Sequence, residues 1–260
     1  MNYYLIGECF EGKRWNGKGK EYEGDTKLKF DGIYSKGLKS GRAKEYFSNG
    51  VVSFEGEYLN DLKNEYGKEF NENGVLIFEG KYIKGIKNGY CKEYYENGNL
   101  KYEGEYSNGK RNGKGKEYEE NFKSLIFEGE YLNGERNGKG KEYYENGNIL
   151  YDGEYLNGLR NGTGKQYYED GSILFEGEYL NGKKHGKGKE YYQNGELEFD
   201  GEYVNDKKWN GKMTEINDED FVEFEGEYKN GQRWNGCINE WVDNELITKI
   251  IENGVIIDNC

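Results

Sequence analysis

The sequence predicts an all-β chain, an elongated single-layer antiparallel β-meander of about ten tandem β-hairpin repeats twisted into a rod. Three observations predict it. A glycine set between acids and aromatics recurs at a nearly fixed step along all 260 residues. Extended runs whose aromatics lie two residues apart alternate with Asn-Gly dipeptides. No segment carries a sustained helical period.

The anchoring glycines are Gly7, Gly32, Gly56, Gly80, Gly104, Gly129, Gly153, Gly177, Gly201 and Gly226, spaced 24 or 25 residues apart. They define one array over 1–260. In the clearest copy, Leu100, Tyr102, Gly104 and Tyr106 share one face of the first strand, because side chains alternate along a strand. The second strand is read as Lys114–Tyr118. Asn108-Gly109 and Asn112-Gly113 mark turns between the two, and Asn97-Gly98 and Asn146-Gly147 mark turns between repeats. Asn and Gly accept positive φ at low cost, so Asn-Gly between extended runs signals a hairpin. If Gly113 and Gly115 share a face, Tyr118 falls on the other with Lys114 and Lys116. Either a bulge corrects the register or both faces carry aromatics. A glycine inside a strand marks the close approach of something bulky. The expected occupant is a ring from the neighbouring strand, Tyr106 over Gly115. Two strands per repeat at about 4.8 Å give a rod on the order of 90–100 Å long.

Composition alone leans toward disorder: 33% hydrophobic, 33% charged and no proline. Two features oppose that reading, 16% aromatic residues and 41 glycines at regular intervals. Stacked thin units can be ordered without a thick core. The net charge of −13 argues against nucleic acid as a partner, since phosphate neutralisation needs a basic surface. The start of the chain lacks the basic region and apolar stretch of a signal peptide, and no run approaches a membrane span. The expected setting is cytoplasmic, with peripheral contact to a membrane left open. Cys9, Cys91, Cys237 and Cys260 fit neither a zinc site nor a disulfide framework. Cys9 stands where other repeats carry Tyr and Cys91 where most carry Gly, so free thiols in a reducing compartment are expected.

The Gly-Glu-Tyr-x-Asn-Gly-Lys-x-(Asn/His)-Gly-x-Gly core, as in Gly104–Gly115 and Gly177–Gly188, resembles the MORN-repeat family. The Tyr-Tyr-x-Asn-Gly step at Tyr94–Gly98 and Tyr143–Gly147 resembles its bacterial variant. The resemblance spans essentially the whole chain and implies an elongated hairpin array used for binding. Family members serve as protein-interaction scaffolds, some associate with membranes or phosphoinositides, and some bacterial variants are labelled antitoxins. Family membership narrows the fold more than the function.

No catalytic residue, metal site or cofactor is expected. The single histidine, His185, occupies a turn position that is Asn112, Asn137 or Asn161 elsewhere. Paired acids such as Glu103 and Glu105 recur in almost every repeat, as a solvated strand face would. The Gly-Lys-Gly-Lys runs lead into no helix and lack the Gly-Lys-Ser/Thr ending of a phosphate loop. Asn217-Asp218-Glu219-Asp220 lacks the spacing of a calcium loop.

Two features point to a partner surface. The turn after the first strand is basic at Lys13-Arg14, Lys110-Arg111, Lys183-Lys184 and Lys207-Lys208, whereas the opposite turn is acidic. A basic rim follows, suited to anionic phospholipid headgroups. An extra tryptophan enters the basic turn at Trp15, Trp209 and Trp234, where capping and partner contact compete as explanations. A protein partner is expected on the aromatic face through Tyr106, Tyr131, Tyr155 and Tyr179, together with these tryptophans. The apolar tail should supply capping strands at about 238–260, which either close the open edge or pair with a second copy to form a homodimer.

Overall fold

The computed structural model describes residues 2–11, 13–24, 26–217, 221–243 and 245–259. Its regular structure is all strand and turn, with no helix among the described residues. The chain divides into two units, Met1–Glu135 and Arg136–Cys260. The first holds the strands from Asn2–Phe10 to Leu125–Leu132, and the second those from Glu135–Tyr143 to Val255–Asn259. Within each unit every strand pairs antiparallel with the strand before and after it, an open meander of hairpins. Charge is uneven between them. The first unit carries 22 basic and 24 acidic residues, net −2, and the second 15 and 26, net −11.

One repeat shows how the sequence dictates the fold. Leu100–Ser107 and Lys110–Tyr118 are joined by Asn108 and Gly109, whose φ angles of 52° and 79° are both left-handed. This is the turn whose twist matches that of the flanking strands. The second strand begins at Lys110, four residues earlier than expected, because Asn112-Gly113 is no turn. Arg111 pairs with Tyr106 and Gly115 with Gly104, so Asn112, Gly113 and Lys114 together face the single Glu105. This bulge keeps Arg111, Gly115 and Glu117 on the aromatic face. A second bulge beside Tyr118 sets it opposite Leu125 while Glu117 stays opposite Phe127. Tyr118 reaches the other face, where its hydroxyl donates to Glu103 at 2.8 Å. Both alternatives left open by the sequence therefore hold: bulges are present and both faces carry aromatics.

The repeat glycines line up across each unit as a stripe, Gly56 opposite Gly67, Gly67 opposite Gly80, Gly104 opposite Gly115 and Gly153 opposite Gly164. The ring lying on Gly115 is Tyr102, not Tyr106 as expected. A Cβ at Gly115 would stand 2.5 Å from Tyr102 Cζ and 2.6 Å from Cε2. From Gly32 to Gly226 the residue two before the repeat glycine folds its ring forward over the stripe, and the residue two after it buttresses that ring edge-on. Phe54–Tyr58, Phe54–Tyr82, Phe78–Tyr82 and Phe78–Tyr106 meet at 5.6–6.0 Å in T-shaped pairs, a chain of contacts linking repeat to repeat. The second unit repeats it through Tyr151–Tyr179 and Phe175–Tyr203, both at 5.2 Å. Each such pair contributes roughly 0.5–1.5 kcal/mol beyond burial. That is how a chain only one-third hydrophobic orders itself.

In the tryptophan repeats the bulge is shorter. Tyr203 pairs with Lys208 and Glu202 with Asn210, leaving Trp209 as a one-residue bulge, and Gly211 itself joins the stripe opposite Gly201. Trp15 and Trp234 stand in the same bulge. The resulting two-residue register change leaves every side chain on its face. Over the tail, the meander runs on through the end of Gln232–Val242, then Glu245–Glu252 and Val255–Asn259. These strands bury Ile251 opposite Gly236.

Candidate interaction surface

On the aromatic face a second layer closes over the rings. Arg111 sits with its guanidinium carbon 4.1 Å from the centre of the Tyr102 ring. Its Nε donates to Glu93 at 2.9 Å and its Nη1 to Glu117 at 2.8 Å. Glu93 also accepts from the Tyr106 hydroxyl. The same arrangement recurs with Lys39 over Phe30 at 3.9 Å, Lys63 over Phe54 at 4.0 Å and Arg160 over Tyr151 at 4.2 Å. Each cation is spent on a ring and on one or two carboxylates. Burial would raise the Glu93 carboxyl, yet Arg111 and Tyr106 outweigh it and hold the group below the ordinary carboxylate range.

This geometry relocates most of the residues expected to form the surface. Tyr106, Tyr131, Tyr155 and Tyr179 are 4–8% exposed, so they are core and offer no surface to a partner. Of the basic turns, Arg14, Arg111, Lys184 and Lys208 fold inward. Arg14 donates to Glu21 at 2.7 Å, Lys184 pairs with Glu190, and Lys208 lies 3.1 Å from Glu190. Lys110, Lys183 and Lys207 remain exposed. Lys13 lies on a strand, and its side chain is outside the described residues, as are Asp218, Glu219, Asp220 and Cys260. Trp15 packs on Phe10 at 5.0 Å, and the Trp209 and Trp234 rings lie against the turns at Gly231 and Gly254. Their carbonyls accept from the amides of Gly37, Gly231 and Gly254 at 2.8–2.9 Å, the link that Lys87 makes to Gly109 in an ordinary repeat. The structure thus gives the tryptophans a repeat-joining role, and Trp209 keeps 37% of its surface exposed.

The opposite face is the one left open. Residues on either side of each stripe glycine point there, forming two charged rows with bare glycine backbone between them. In one row lysines alternate with acids: Lys141 with Asp152 at 3.4 Å, Lys165 with Glu176 at 2.9 Å and Lys189 with Asp200 at 3.5 Å. The floor between the rows, Gly153, Gly164, Gly177 and Gly188, underlies a groove of about 690 Å³ in the second unit. A similar groove of about 700 Å³ in the first unit is bounded by Tyr66.

Tyr66 and Tyr90 were not singled out from the sequence. They occupy the position that is Lys114, Lys139, Thr163 or Lys187 in other repeats, and are 53% and 58% exposed. Tyr66 pairs with Lys81 on one side of the Gly67–Gly80 pair, and Glu79 pairs with Lys68 on the other. The Tyr66 hydroxyl nevertheless donates to Glu79 at 2.6 Å, so its ring crosses the glycine floor. Tyr90 reaches Glu103 at 2.9 Å across the Cys91–Gly104 pair. Burial, and then the bond to the carboxylate, push both phenols up to about 12. The signal was present in the sequence as Glu65-Tyr66-Gly67 and Gly89-Tyr90-Cys91, departures from Gly-Lys-Gly. Beside them, Leu59 pairs with Leu62 and Ile83 with Ile86, all 45–52% exposed.

Among the described residues no group of three or more His, Cys, Asp and Glu side chains could hold a metal ion. Among the same residues no helix is long and apolar enough to cross a membrane.

These features define a tandem β-hairpin repeat protein. The family model described as "MORN repeat" matches residues 54–75, 102–118, 127–149, 151–173, 175–196 and 224–234, and "MORN repeat variant" matches 39–60 and 87–108. The chain belongs to the MORN-repeat family. A comparison with curated proteins returned no match.

Proposed function

We propose that the chain is a non-enzymatic scaffold that binds a protein partner through the open face of its sheet. The observation that carries this reading is the half-exposed patch of Leu59, Leu62, Ile83, Ile86, Tyr66 and Tyr90, beside a groove that runs on over successive repeats. Contiguous apolar surface rimmed by polar groups marks interaction sites. The alternative, anionic headgroup binding by the basic rim, draws less support, because the second cation of each turn is already paired with a glutamate. A reducing, cytoplasmic setting is proposed from the free thiols of Cys9, Cys91 and Cys237. Exposed Val255, Ile256 and Ile257 support pairing with a second copy at that strand, which sedimentation at rising concentration would read as a growing dimer fraction.

Two experiments test the partner reading. Chemical crosslinking followed by partner identification, on the full chain and on a chain lacking the two repeats at Gly56 and Gly80, should lose its partner on deletion. Unchanged capture would sink the proposal. Co-sedimentation with phosphoinositide-containing vesicles at physiological salt should give no pellet, and binding there that persists would favour the lipid alternative.

A further inference from the structure

We propose that the glycine-floored groove of the second unit is a docking site for tyrosine side chains of a partner segment that is basic and carries a tyrosine at every third residue. The proposal deepens the scaffold reading and rests on it.

The first unit displays the occupant. Tyr66 lies across the Gly67–Gly80 pair and Tyr90 across Cys91–Gly104, where the cysteine side chain is buried. They give their hydroxyls to Glu79 and Glu103. Glu176 holds the corresponding place beside the Gly164–Gly177 pair, and Asp200 the one beside Gly188–Gly201. Where the tyrosine would originate, the second unit has Thr163 and Lys187 instead. The floor and the acceptor carboxylate are therefore kept while the ring is not supplied by the chain itself.

The acceptor carboxylates have an oxygen to offer such a ring. Glu79 takes the Tyr94 hydroxyl on Oε1 and the Tyr66 hydroxyl on Oε2, and Lys68 stands off at 3.6 Å. Glu176 takes the Tyr191 hydroxyl on Oε1 at 3.0 Å and Lys165 on Oε2 at 2.9 Å, while Lys189 stands 3.5 Å from Asp200. An incoming phenol would share that oxygen with the lysine, as Tyr66 and Lys68 share Oε2 of Glu79.

Charge selects the rest of the segment. The unit carries a net −11, and Glu154 and Glu178 border the groove opposite Asp152 and Glu176. The lining itself holds five carboxylates against four lysines, so basic residues between the tyrosines complement the acidic excess. A phosphorylated tyrosine would meet the acceptor carboxylates Glu176 and Asp200. Spacing follows from the sheet. Successive sites are two strands apart, roughly 9.6 Å. A polyproline-type segment returns to the same side every third residue after about 9.3 Å.

The test uses the full chain and a fluorescein-labelled Tyr-Lys-Pro-Tyr-Lys-Pro-Tyr peptide at about 0.15 M salt. Saturable binding is expected, falling by about tenfold or more in Thr163→Tyr/Lys187→Tyr, which supplies the chain's own rings. These substitutions copy residues that sibling repeats already carry. As a second arm, Tyr66→Lys/Tyr90→Lys opens the first unit and should raise the number of peptides bound. Any of four results overturns the proposal: no saturable binding, equal binding to the filled groove, equal binding of the Phe-Lys-Pro version, or equal binding of the tyrosine-phosphorylated version. Failure here leaves the wider scaffold reading standing, because crosslinking and repeat deletion read that one independently of this groove.

Discussion

The Arg111 guanidinium lies 4.1 Å from the Tyr102 ring centre while bridging Glu93 of the preceding repeat and Glu117 of its own. One side chain thus covers a ring and ties two repeats. Arrays of this kind draw stability from such nearest-neighbour terms. Arg111 and Glu93 are each less than a quarter exposed, so removing the cation strands a half-buried carboxylate. Arg111→Met should lower stability by about 2 kcal/mol, read as a shift in urea midpoint. Arg111→Lys should recover most of that, because Lys39 and Lys63 already hold the same place over Phe30 and Phe54. Equal loss in both variants would show that the guanidinium fork matters more than the charge.

The bridging carboxylates set an acid limit. Burial tends to raise Glu93, Glu142, Glu190 and Glu215. Their arginine, lysine and tyrosine partners prevail, and all four sit below the ordinary value of 4.5. A carboxyl depressed in the folded state adds stability that is present above its unfolded value and lost as pH falls through its folded value. Urea midpoints should therefore hold level from about pH 7 to pH 5 and drop below about pH 4. Relief of the −11 charge on the second unit acts in the opposite direction, so the ladder has to be isolated. Glu142→Gln should be weaker than the parent at neutral pH and should lose less on acidification. A parallel fall for both proteins would remove the ladder as the cause.

The sequence disclosed the fold more fully than the surface, and particular residues show why. The step between Gly104 and Gly129 and the Asn108-Gly109 turn are local patterns, readable by period and by backbone preference. Which ring covers Gly115 is not local in that sense. Tyr102 and Tyr106 lie on the same strand face two residues either side of Gly104, and only the bulge at Asn112–Lys114 decides between them. The same bulge turns Arg111 inward, so a pair read as a basic rim became half roof and half rim. Trp209 looked inserted because Asn210-Gly211 was aligned with a bulge glycine when it belongs to the stripe. Tyr66 and Tyr90 went unnoticed because a consensus hides departures from itself.

The glycine stripe gives a prediction that separates space from backbone preference. Gly115 has no left-handed φ, so the nearest atoms an alanine there meets are those of the Tyr102 ring and hydroxyl. Where a stripe position does carry a side chain, Ala43 or Cys91, the covering ring is Phe30 or Phe78 and there is no hydroxyl. Gly115→Ala should cost about 2–3 kcal/mol. In a Tyr102→Phe background the same change should cost roughly 1 kcal/mol less, the coupling expected of residues in contact. A double-mutant cycle by urea unfolding checks it, and strict additivity would mean the ring does not confine this position.

Glu65 offers the converse case, a residue that glycine should improve. It holds φ at 54°, where the sibling repeats place Gly89, Gly113, Gly162 and Gly186, all left-handed. A residue with a Cβ pays roughly 1–2 kcal/mol in that conformation, which glycine avoids. Glycine's freer unfolded chain returns part of the gain, about 0.5–1 kcal/mol. The ion pair that would be lost, Glu65 with Lys81 at 3.4 Å, joins side chains that are 58% and 48% exposed, so it contributes little. Glu65→Gly should therefore raise stability by roughly 0.5 kcal/mol. Glu65→Ala, which drops the same carboxylate but keeps the Cβ strain, should not. Urea midpoints of the two variants decide the matter: if alanine stabilises as much as glycine, the benefit comes from removing an acid and the backbone strain at Glu65 is not felt.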